Sequence, residues 1–309
     1  MTTRARYIDF LGKKRFAYIF SGSLFLISII SFFVKGLELG VDFTGGSEYE
    51  IYYSQTVDLD KMRAALEQQG FADANLQNFG SSQEVLLRLK PVADLNQKQL
   101  TEKVLAIADG SQTQPGEIRR VDFVGPQVGE DLVNNGGMAM LFAFIGVMAY
   151  VSLRFEWKLS VAAIVALFHD SIITMGFFSV FGWEFDLTVL SAVLALVGYS
   201  TNDKIVIYDR IREITRGTRL TSMEEIVNIA INETLGRTIL VSFTVLLTLL
   251  ALVFLGGKII HGFAIAMLIG VVKGTYSSIY IGSALALSFG LKREDLAPAK
   301  KDAVLDQLP

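Results

Sequence analysis

Charged or titratable side chains fall within, or at the start of, strongly apolar stretches of this 309-residue sequence, and they include His169, Asp170, Asp203, Arg237 and Lys273. A charge at the centre of a membrane-spanning helix costs about 2.5 to 3.5 kcal/mol on insertion scales, so it must face protein, water or an opposite charge. A buried carboxylate in such a place can take up and release an ion as its surroundings change. The pattern therefore predicts an ion pathway rather than a catalytic centre.

Asp203 is the strongest candidate for that pathway. It lies in LVGYSTNDKIVIYDRIRE, residues 196–213, where small and polar residues that include Asn202 interrupt an apolar run. One interpretation is an ion-coupling carboxylate in a polar pocket. The alternative is an aspartate solvated near the cytoplasmic end of the helix, with Lys204 reaching the surface beside it.

The other four side chains fit the same polar network. Arg237 begins the fifth apolar stretch and is either a surface anchor or an ion-pair partner for Asp203. His169 and Asp170 are expected to line the bundle interior, although adjacent residues on a helix need not bond to each other. The alternative for His169 is a packed side chain satisfied by a neighbouring helix. Lys273 lies about ten residues into the last stretch, where snorkelling is hard, so it must find a carboxylate, with Asp203 or Asp170 as the candidate.

Small residues recur at every fourth position of the last apolar stretch. This row predicts a face on which another helix packs closely. Its central members are Gly270, Gly274, Ser278 and Gly282.

The composition narrows the class of protein. The chain is 51% hydrophobic and 19% charged, with a mean hydropathy of +0.44, which is typical of integral membrane proteins. Cysteine is absent, which excludes disulfides and thiol nucleophiles. The sequence also lacks GxxxxGK[ST], HExxH and GxSxG. We therefore expect no catalytic residue, no metal site, no cofactor besides a driving ion and no nucleic-acid partner.

Six apolar stretches are long enough to cross about 30 Å of hydrocarbon. They cover residues 16–34, 137–153, 159–181, 187–208, 238–255 and 263–289. Residues 35–135, between the first two, have a soluble composition and the predicted order βαββαβ. The strands are expected at 47–53, 75–79, 84–90 and 117–124, and the helices at 59–69 and 96–108, the first capped by Asp58. The predicted fold is a polytopic α-helical membrane protein with one external α+β ferredoxin-like domain between helices 1 and 2.

Basic residues predict the orientation. They gather in the tail 1–15, at 154–158, in the loop 209–237 and in the tail 290–309, whereas the opposite short loops hold only Lys258. The positive-inside rule then puts both termini in the cytoplasm and residues 35–135 outside. Within the loop, Ser222 and Glu225 predict the capped start of an amphipathic helix along the membrane surface.

Seven short segments carry a resemblance to a known family. They are GVDFTGG at 40–46, NFGSS at 78–82, FVGPQVG at 123–129, RFEWKLS at 154–160, HDSIIT at 169–174, GYSTNDKIVIYDRIRE at 198–213 and SSIYIGSALAL at 277–287. With the six-span plan, they resemble the SecD/SecF family of bacterial protein-export proteins, in the resistance-nodulation-division (RND) superfamily. The likeness covers residues 10–290 in order.

The resemblance implies an RND-type half-unit in the bacterial inner membrane, with residues 35–135 in the periplasm. It implies SecD as the partner in a twelve-span complex that assists the SecYEG channel, with YajC and YidC as further partners. Such a complex uses the ion gradient to promote translocation and periplasmic release of preproteins, after the ATPase SecA has driven them in. The driving ion, H⁺ or Na⁺, stays open.

Two site residues are carried over from the family. Its coupling aspartate in the fourth span matches Asp203, and its arginine at the start of the fifth span matches Arg237. Lys273 departs from the apolar or small residue expected at its position. How the charges of the ion pathway are balanced in this chain therefore stays open.

Two other functions remain open on the sequence. An RND-type exporter half for small molecules or lipids would need an apolar substrate cleft and usually a larger external domain. A non-transporting scaffold of the translocon would make no intramembrane charge individually essential.

Overall fold

The computed structural model describes residues 7–91, 96–218, 222–257 and 259–296, except for the side chain of Phe79. Predictions about residues 1–6, 92–95, 219–221, 258 and 297–309 lie outside the described residues; they include Lys258 and most of the C-terminal tail. The chain divides into two compact units. The first comprises Met1–Glu38, Met140–Trp183 and Thr188–Pro309, and the second comprises Leu39–Ala139 and Glu184–Leu187.

The helices and strands follow one another along the whole described chain. In order they are α1 (Lys14–Val34), β1 (Glu38–Leu39), α2 (Val41–Thr44), β2 (Gly46–Tyr52), α3 (Leu59–Gln68), β3 (Asn75–Phe79), β4 (Ser81–Leu89), α4 (Gln97–Gly110), β5 (Glu117–Val124), α5 (Pro126–Arg154), α6 (Trp157–Phe181), β6 (Glu184–Phe185), α7 (Leu187–Gly217), α8 (Met223–Leu255), α9 (His261–Ser277), a π-helical turn (Ser278–Gly282), α10 (Ser283–Ser288) and α11 (Arg293–Leu296).

Six helical segments of the described chain are long and apolar enough to cross a membrane. They are Leu11–Val34, Pro126–Arg154, Trp157–Phe181, Leu187–Gly217, Met223–Leu255 and His261–Ser288. The predicted number of spans is therefore matched, and the chain is a polytopic helical membrane protein. The first span is extended at its start by a 3-10 turn over Leu11–Lys13, and the last contains the π-helical turn.

The second unit contains a four-stranded antiparallel sheet in the order β3-β4-β2-β5. Asp58 caps α3 by accepting a 3.1 Å hydrogen bond from the Lys61 N–H, as the sequence predicts. Alternate residues of β2 and β4 enter a core with one face each of α3 and α4. That core includes Tyr49, Ile51, Met62, Leu66, Val85, Leu87, Leu100 and Val104.

Gly45 and Gly46 turn the chain from α2 into β2. Their φ angles are +67° and +121°, values that residues with a side chain rarely adopt. A Cβ atom on Gly46 would also collide with the carbonyl oxygen of Leu89 on the paired strand β4. The two glycines are thus required for β2 to enter the sheet.

The largest apolar core of the first unit joins parts of the chain that are far apart in sequence. It includes Phe10, Leu11, Val151, Phe155, Leu159, Ile207, Tyr208, Ile211, Ile226, Val227, Ala230, Ile231 and Ile279. Because these residues belong to several helices, burial of their side chains holds the ends of the spans together.

The loop predicted at 209–237 is mostly helical. α7 continues to Gly217 and α8 begins at Met223, with Ser222 Oγ accepting a 3.4 Å hydrogen bond from the Glu225 N–H. The Ser222 cap is therefore confirmed, but a separate surface helix is wrong, because α8 runs without a break into the fifth span. Its apolar face is buried in the core just described instead of lying on a membrane surface.

Two element boundaries differ from those predicted by the hydropathy pattern. α5 begins at Pro126, so the helix that contains the second span starts about eleven residues before the apolar stretch at 137–153. The second unit also includes Glu184–Leu187, where β6 pairs with β1. Hydropathy marks where apolar composition begins, whereas helices and strands extend as far as their backbone hydrogen bonds do.

Candidate intramembrane charge network

α7 holds the side chain of Asp203 in the interior of the bundle. Asp203 is 5% exposed, and its Oδ2 atom has no hydrogen-bond partner among the described residues. The Thr275 side chain of α9 interacts with the carboxylate, and Lys204 and Arg237 act on it electrostatically. A carboxylate oxygen in this situation can accept a proton or bind a cation.

Three hydroxyl groups connect the surroundings of Asp203 across α7, α8 and α9. Tyr199 Oη donates to Ser242 Oγ at 3.1 Å, and Ser242 Oγ lies 2.7 Å from Thr275 Oγ1. The sequence analysis missed Ser242 and Thr275, because such residues are common in membrane spans and only the packing of the helices brings them together. A displacement of one helix would change the hydroxyl partners available to Asp203.

Arg237 lies within α8 and is exposed. In the part of the chain that the structure describes, no carboxylate lies within the 4.0 Å of an ion pair with it. Its positive charge nevertheless acts on Asp203 from a greater distance. The ion pair considered from the sequence is therefore not formed in this structure.

A second polar cluster joins α6 to α7 around Asp170, which has no exposed surface. Its Oδ2 atom lies 3.0 Å from Lys204 Nζ and accepts a 2.8 Å hydrogen bond from Ser200 Oγ. Lys204 Nζ also donates to Ser200 Oγ at 2.6 Å and to the Ser200 carbonyl at 3.3 Å. The buried ion pair thus has a shared hydroxyl partner, which lowers the cost of removing both charges from water.

The interpretation of Lys204 as a side chain that reaches the surface is wrong, since Lys204 is 1% exposed. Asp203 and Lys204 are adjacent, but consecutive side chains on a helix point in different directions. Asp203 meets Thr275 of α9, whereas Lys204 meets Asp170 of α6. The spacing from Ser200 to Lys204, one helical turn, was the available signal that these two share a face.

His169 completes the Asp170 cluster. Its Nδ1 atom lies 3.1 Å from Asp170 Oδ1, so the two adjacent side chains do contact each other. The imidazole stacks on Phe25 of α1 with a centroid distance of 6.0 Å and an interplanar angle of 7°. His169 Nε2 is buried and has no hydrogen-bond partner among the described residues.

Lys273 does not find the carboxylate expected for it. Its Nζ atom donates a 3.3 Å hydrogen bond to Ser21 Oγ of α1 and lies 4.8 Å from the centre of the Tyr276 ring. Asp170 attracts it only over a longer distance. A hydroxyl group and an aromatic face can satisfy an ammonium group in the interior, so the inference that a carboxylate was required was too strict.

The predicted row of small residues faces α7. A Cβ atom on Gly270 would lie 2.6 Å from the side chain of Leu196, and one on Gly274 would lie 3.2 Å from Ser200 Oγ. Further along, a Cβ atom on Gly282 would lie 3.7 Å from Lys204 Cε. The absence of side chains therefore lets the sixth span approach the face of α7 that carries the Asp170 cluster.

Two further observations concern which residues belong to the site and what it could bind. Asn202 is exposed and lies outside both polar clusters. Among the described residues, no group of three or more His, Cys, Asp or Glu side chains could hold a metal ion.

Two family models match the sequence. The model described as "Protein export membrane protein SecD/SecF, C-terminal" matches residues 105–292, and the model described as "SecD/SecF GG Motif" matches residues 30–57. The first contains every member of the charge network from His169 to Lys273. The second contains the glycine pair that begins β2.

Curated relatives are similar over the full length. The protein translocase subunit SecF of Vibrio alginolyticus is 45% identical, over 98% of this chain and 97% of that protein. The protein translocase subunit SecF of Pseudomonas aeruginosa is 44% identical over 100% of both.

The fold is also similar to solved structures. The crystal structure of SecDF, a translocon-associated membrane protein from Thermus, matches with a TM-score of 0.84 and 36% identity. A SecDF structure in a super-membrane-facing form matches with a TM-score of 0.68 and 35% identity. Each match covers 94% of this chain but only 40% of the solved chain. This chain is a member of the SecD/SecF family of protein export membrane proteins.

Proposed function

We propose that this chain is the SecF-type accessory subunit of the Sec protein-export translocase and that it uses the ion gradient across the membrane to promote preprotein translocation. The observation that carries the proposal is the buried Asp203, whose Oδ2 atom has no hydrogen-bond partner among the described residues, in a chain of this family. The curated relatives, which are named as translocase subunits, support the translocation role.

In the proposed cycle, Asp203 binds the driving ion when it faces one side of the membrane and releases it toward the other. An ionised carboxylate without an ion pair is costly inside a bundle, so ion binding and release favour different helix arrangements. One charge that crosses the membrane potential supplies about 2.3 kcal/mol per 100 mV. Arg237 would stabilise the ionised state of Asp203 when the helices bring the two side chains closer.

The driving ion is either H⁺ or Na⁺. A proton needs only the Asp203 carboxylate, whereas Na⁺ needs several oxygen ligands around it. The hydroxyl groups of Thr275, Ser242 and Tyr199 could supply such ligands beside Asp203. Both ions are therefore compatible with the groups at the site, and no resident cofactor is proposed.

We also infer the orientation of the chain in the bacterial inner membrane. The basic residues favour cytoplasmic termini and a periplasmic location for residues 35–135. We assign that domain to the ferredoxin-like class, which is supported by the order β2-α3-β3-β4-α4-β5 and the antiparallel sheet order β3-β4-β2-β5.

SecD is the proposed partner in the membrane. The match to the solved structure of SecDF, a chain named for both SecD and SecF, supports this partner. Apolar side chains of α5 and α8 are exposed in the isolated chain, and they offer faces for that partner or for lipid. They include Leu141, Phe142, Ile145, Ile239, Leu240, Phe243 and Leu247. SecYEG, YajC and YidC are proposed as further partners, and preproteins as substrates.

The decisive experiment measures ATP-dependent preprotein translocation into vesicles that contain this chain with its SecD partner. A proton gradient and a sodium gradient are imposed separately on the wild type and on the Asp203→Asn variant. We expect one gradient to accelerate the wild type but not the variant, which identifies both the coupling residue and the ion. If neither gradient accelerates the wild type and the variant equals it, the gradient-coupled function is wrong and the chain acts as a scaffold. If a gradient accelerates both proteins equally, Asp203 is not the coupling residue.

A further inference from the structure

Within the second unit, the segment Gly40–Thr44 contacts the start of α7 and the residues just before it through hydrogen bonds and a stacked pair of rings. The Gly40 N–H donates to the Phe185 carbonyl at 3.0 Å, next to the pairing of β1 with β6. Asp42 Oδ2 accepts a 3.1 Å hydrogen bond from the N–H of Leu187, the first residue of α7. Phe43 stacks on Phe185 with a centroid distance of 6.1 Å. We call Gly40–Thr44 together with Glu184–Leu187 the α7 clasp.

Arg88 gives the clasp a second fastening to the sheet. It lies on β4 opposite Glu48 of β2, and its Nε atom donates to Glu48 Oε2 at 2.6 Å. Its Nη2 atom donates to Glu184 Oε2 of β6, just before α7. Arg88 attracts the Glu184 carboxylate, whereas Asp42 and Asp186 repel it. Arg88 is 8% exposed, so one buried guanidinium joins two strands of the sheet to the α7 clasp.

This fastening matters because α7 is the helix that carries Asp203. Leu187 and Asp203 are sixteen residues apart, which corresponds to about 24 Å along an α-helix. α7 contains no proline, so it lacks the commonest cause of a sharp kink. α7 should therefore move as a rigid rod, so a shift or rotation near Asp203 would displace its first turn by nearly the same amount.

We propose that the α7 clasp is the joint through which movement of α7 is transmitted to the external domain, with Asp42 and Arg88 as its positioning residues. The proposal rests on the gradient-coupled function proposed above. It gives the GVDFTGG segment a specific role, because Gly40 and Asp42 hold the start of α7 and the glycine pair that follows leads directly into β2 of the sheet.

Asp42 has a matched control in the same domain. Asp58 also accepts a hydrogen bond from a backbone N–H at the start of a helix, but that helix is α3, which carries no ion-coupling residue. Asp42→Ala and Asp58→Ala therefore remove the same kind of cap at different helices. Asp42→Asn keeps an oxygen that can accept the bond from Leu187, so it tests whether capping is what Asp42 provides.

The experiment measures gradient-dependent acceleration of preprotein translocation in vesicles that contain the full chain with SecD. Loss of one helix cap typically costs about 1 kcal/mol, which changes the ratio of the connected to the disconnected state about fivefold. We therefore expect Asp42→Ala to reduce the acceleration about fivefold. Asp58→Ala should keep the wild-type acceleration, and Asp42→Asn should restore most of what Asp42→Ala loses. Equal accelerations for Asp42→Ala and Asp58→Ala would overturn the proposal, as would an Asp42→Asn variant as defective as Asp42→Ala.

Two internal controls separate this inference from the proposed function. If the wild type shows no acceleration, or Asp203→Asn accelerates normally, the gradient-coupled function itself fails. If Asp42→Ala does not assemble with SecD, Arg88→Lys is judged instead. This variant keeps the positive charge but cannot donate to Glu48 and Glu184 at the same time in the geometry of a guanidinium group. It should lower the gradient-dependent acceleration without lowering the ATP-driven rate. An Arg88→Lys variant with wild-type acceleration would then overturn the proposal.

Discussion

The buried ion pair between Asp170 and Lys204 should contribute to stability in a strongly cooperative way. At their separation of 3.0 Å, the two charges attract each other by about 5 to 6 kcal/mol for an effective dielectric constant of 20. Removing both charges from water costs several kcal/mol per ion, so the intact pair contributes little net stability. Removing one partner leaves the other buried alone, which we expect to cost about 3 to 5 kcal/mol.

The perturbation is a double-mutant cycle with Asp170→Asn, Lys204→Met and the combination of both. Each single variant should lose about 3 to 5 kcal/mol in free energy of unfolding, whereas the double variant should lie within about 2 kcal/mol of the wild type. The coupling energy should therefore be at least about 4 kcal/mol. Denaturant titration of the purified protein in detergent measures it through tryptophan fluorescence, since Trp157 and Trp183 both lie in the first unit.

The pair Lys14 and Glu224 provides the control, because its ions are closer but more exposed. The Nζ to Oε1 distance is 2.7 Å, and the side chains are 38% and 54% exposed. Solvent screening should limit its coupling energy to about 1 kcal/mol or less. If the two single costs at Asp170 and Lys204 add up to the cost of the double variant within about 0.5 kcal/mol, the reasoning from burial is refuted.

Three further predictions concern other parts of the chain. Lys273→Met should leave the unfolding free energy unchanged or raise it, because Lys273 forms no ion pair with any described residue. A loss of more than about 2 kcal/mol in denaturant titration would contradict this. Burial raises the pKa of Glu184 from 4.5 to about 7, so the folded protein retains a proton that the unfolded chain releases, and stability should fall as pH rises from 4.5 to about 7. Glu184→Gln should remove that part of the slope, and an unchanged slope in melts between pH 4.5 and 8 would refute the assignment. Gly270→Ala should cost about 1 to 3 kcal/mol, because its Cβ atom would lie 2.6 Å from Leu196, whereas Gly146→Ala on α5, which meets nothing within 4 Å, should not destabilise; equal melting temperatures would argue against close packing at Gly270.

The sequence was sufficient wherever the physical cause was local. Apolar length determines a span, so the six membrane helices could be predicted without any tertiary information. The strands and helices between residues 46 and 124 follow from alternation, capping and turn residues. The Asp58 and Ser222 caps are cases in which a side chain bonds to a backbone group three residues away.

The sequence was insufficient where the cause was a contact between distant residues. Lys204 and Asp170 are 34 residues apart, and no local rule indicates that a lysine beside Asp203 turns instead toward α6. The hydroxyl of Ser21 lies 252 residues from Lys273 and could not be chosen among many serines. The merger of the predicted surface helix with the fifth span depends likewise on burial of Ile226 and Ala230 against other helices.

The two aspartates of the network differ in a way that bears on energy conversion. Asp170 has an ion-pair partner, a hydroxyl donor and an imidazole at hydrogen-bond distance, so its environment resists any change of charge. Asp203 has an oxygen without a hydrogen-bond partner among the described residues, and Lys204 and Arg237 act on it electrostatically without an ion pair. Ion binding changes the free energy of an already neutralised carboxylate only a little. For a buried carboxylate without an ion pair, ion binding relieves the cost of burying its charge. Because Lys204 is paired with Asp170, its charge acts on Asp203 without forming an ion pair, and under the proposed function this leaves the Asp203 carboxylate available for the driving ion.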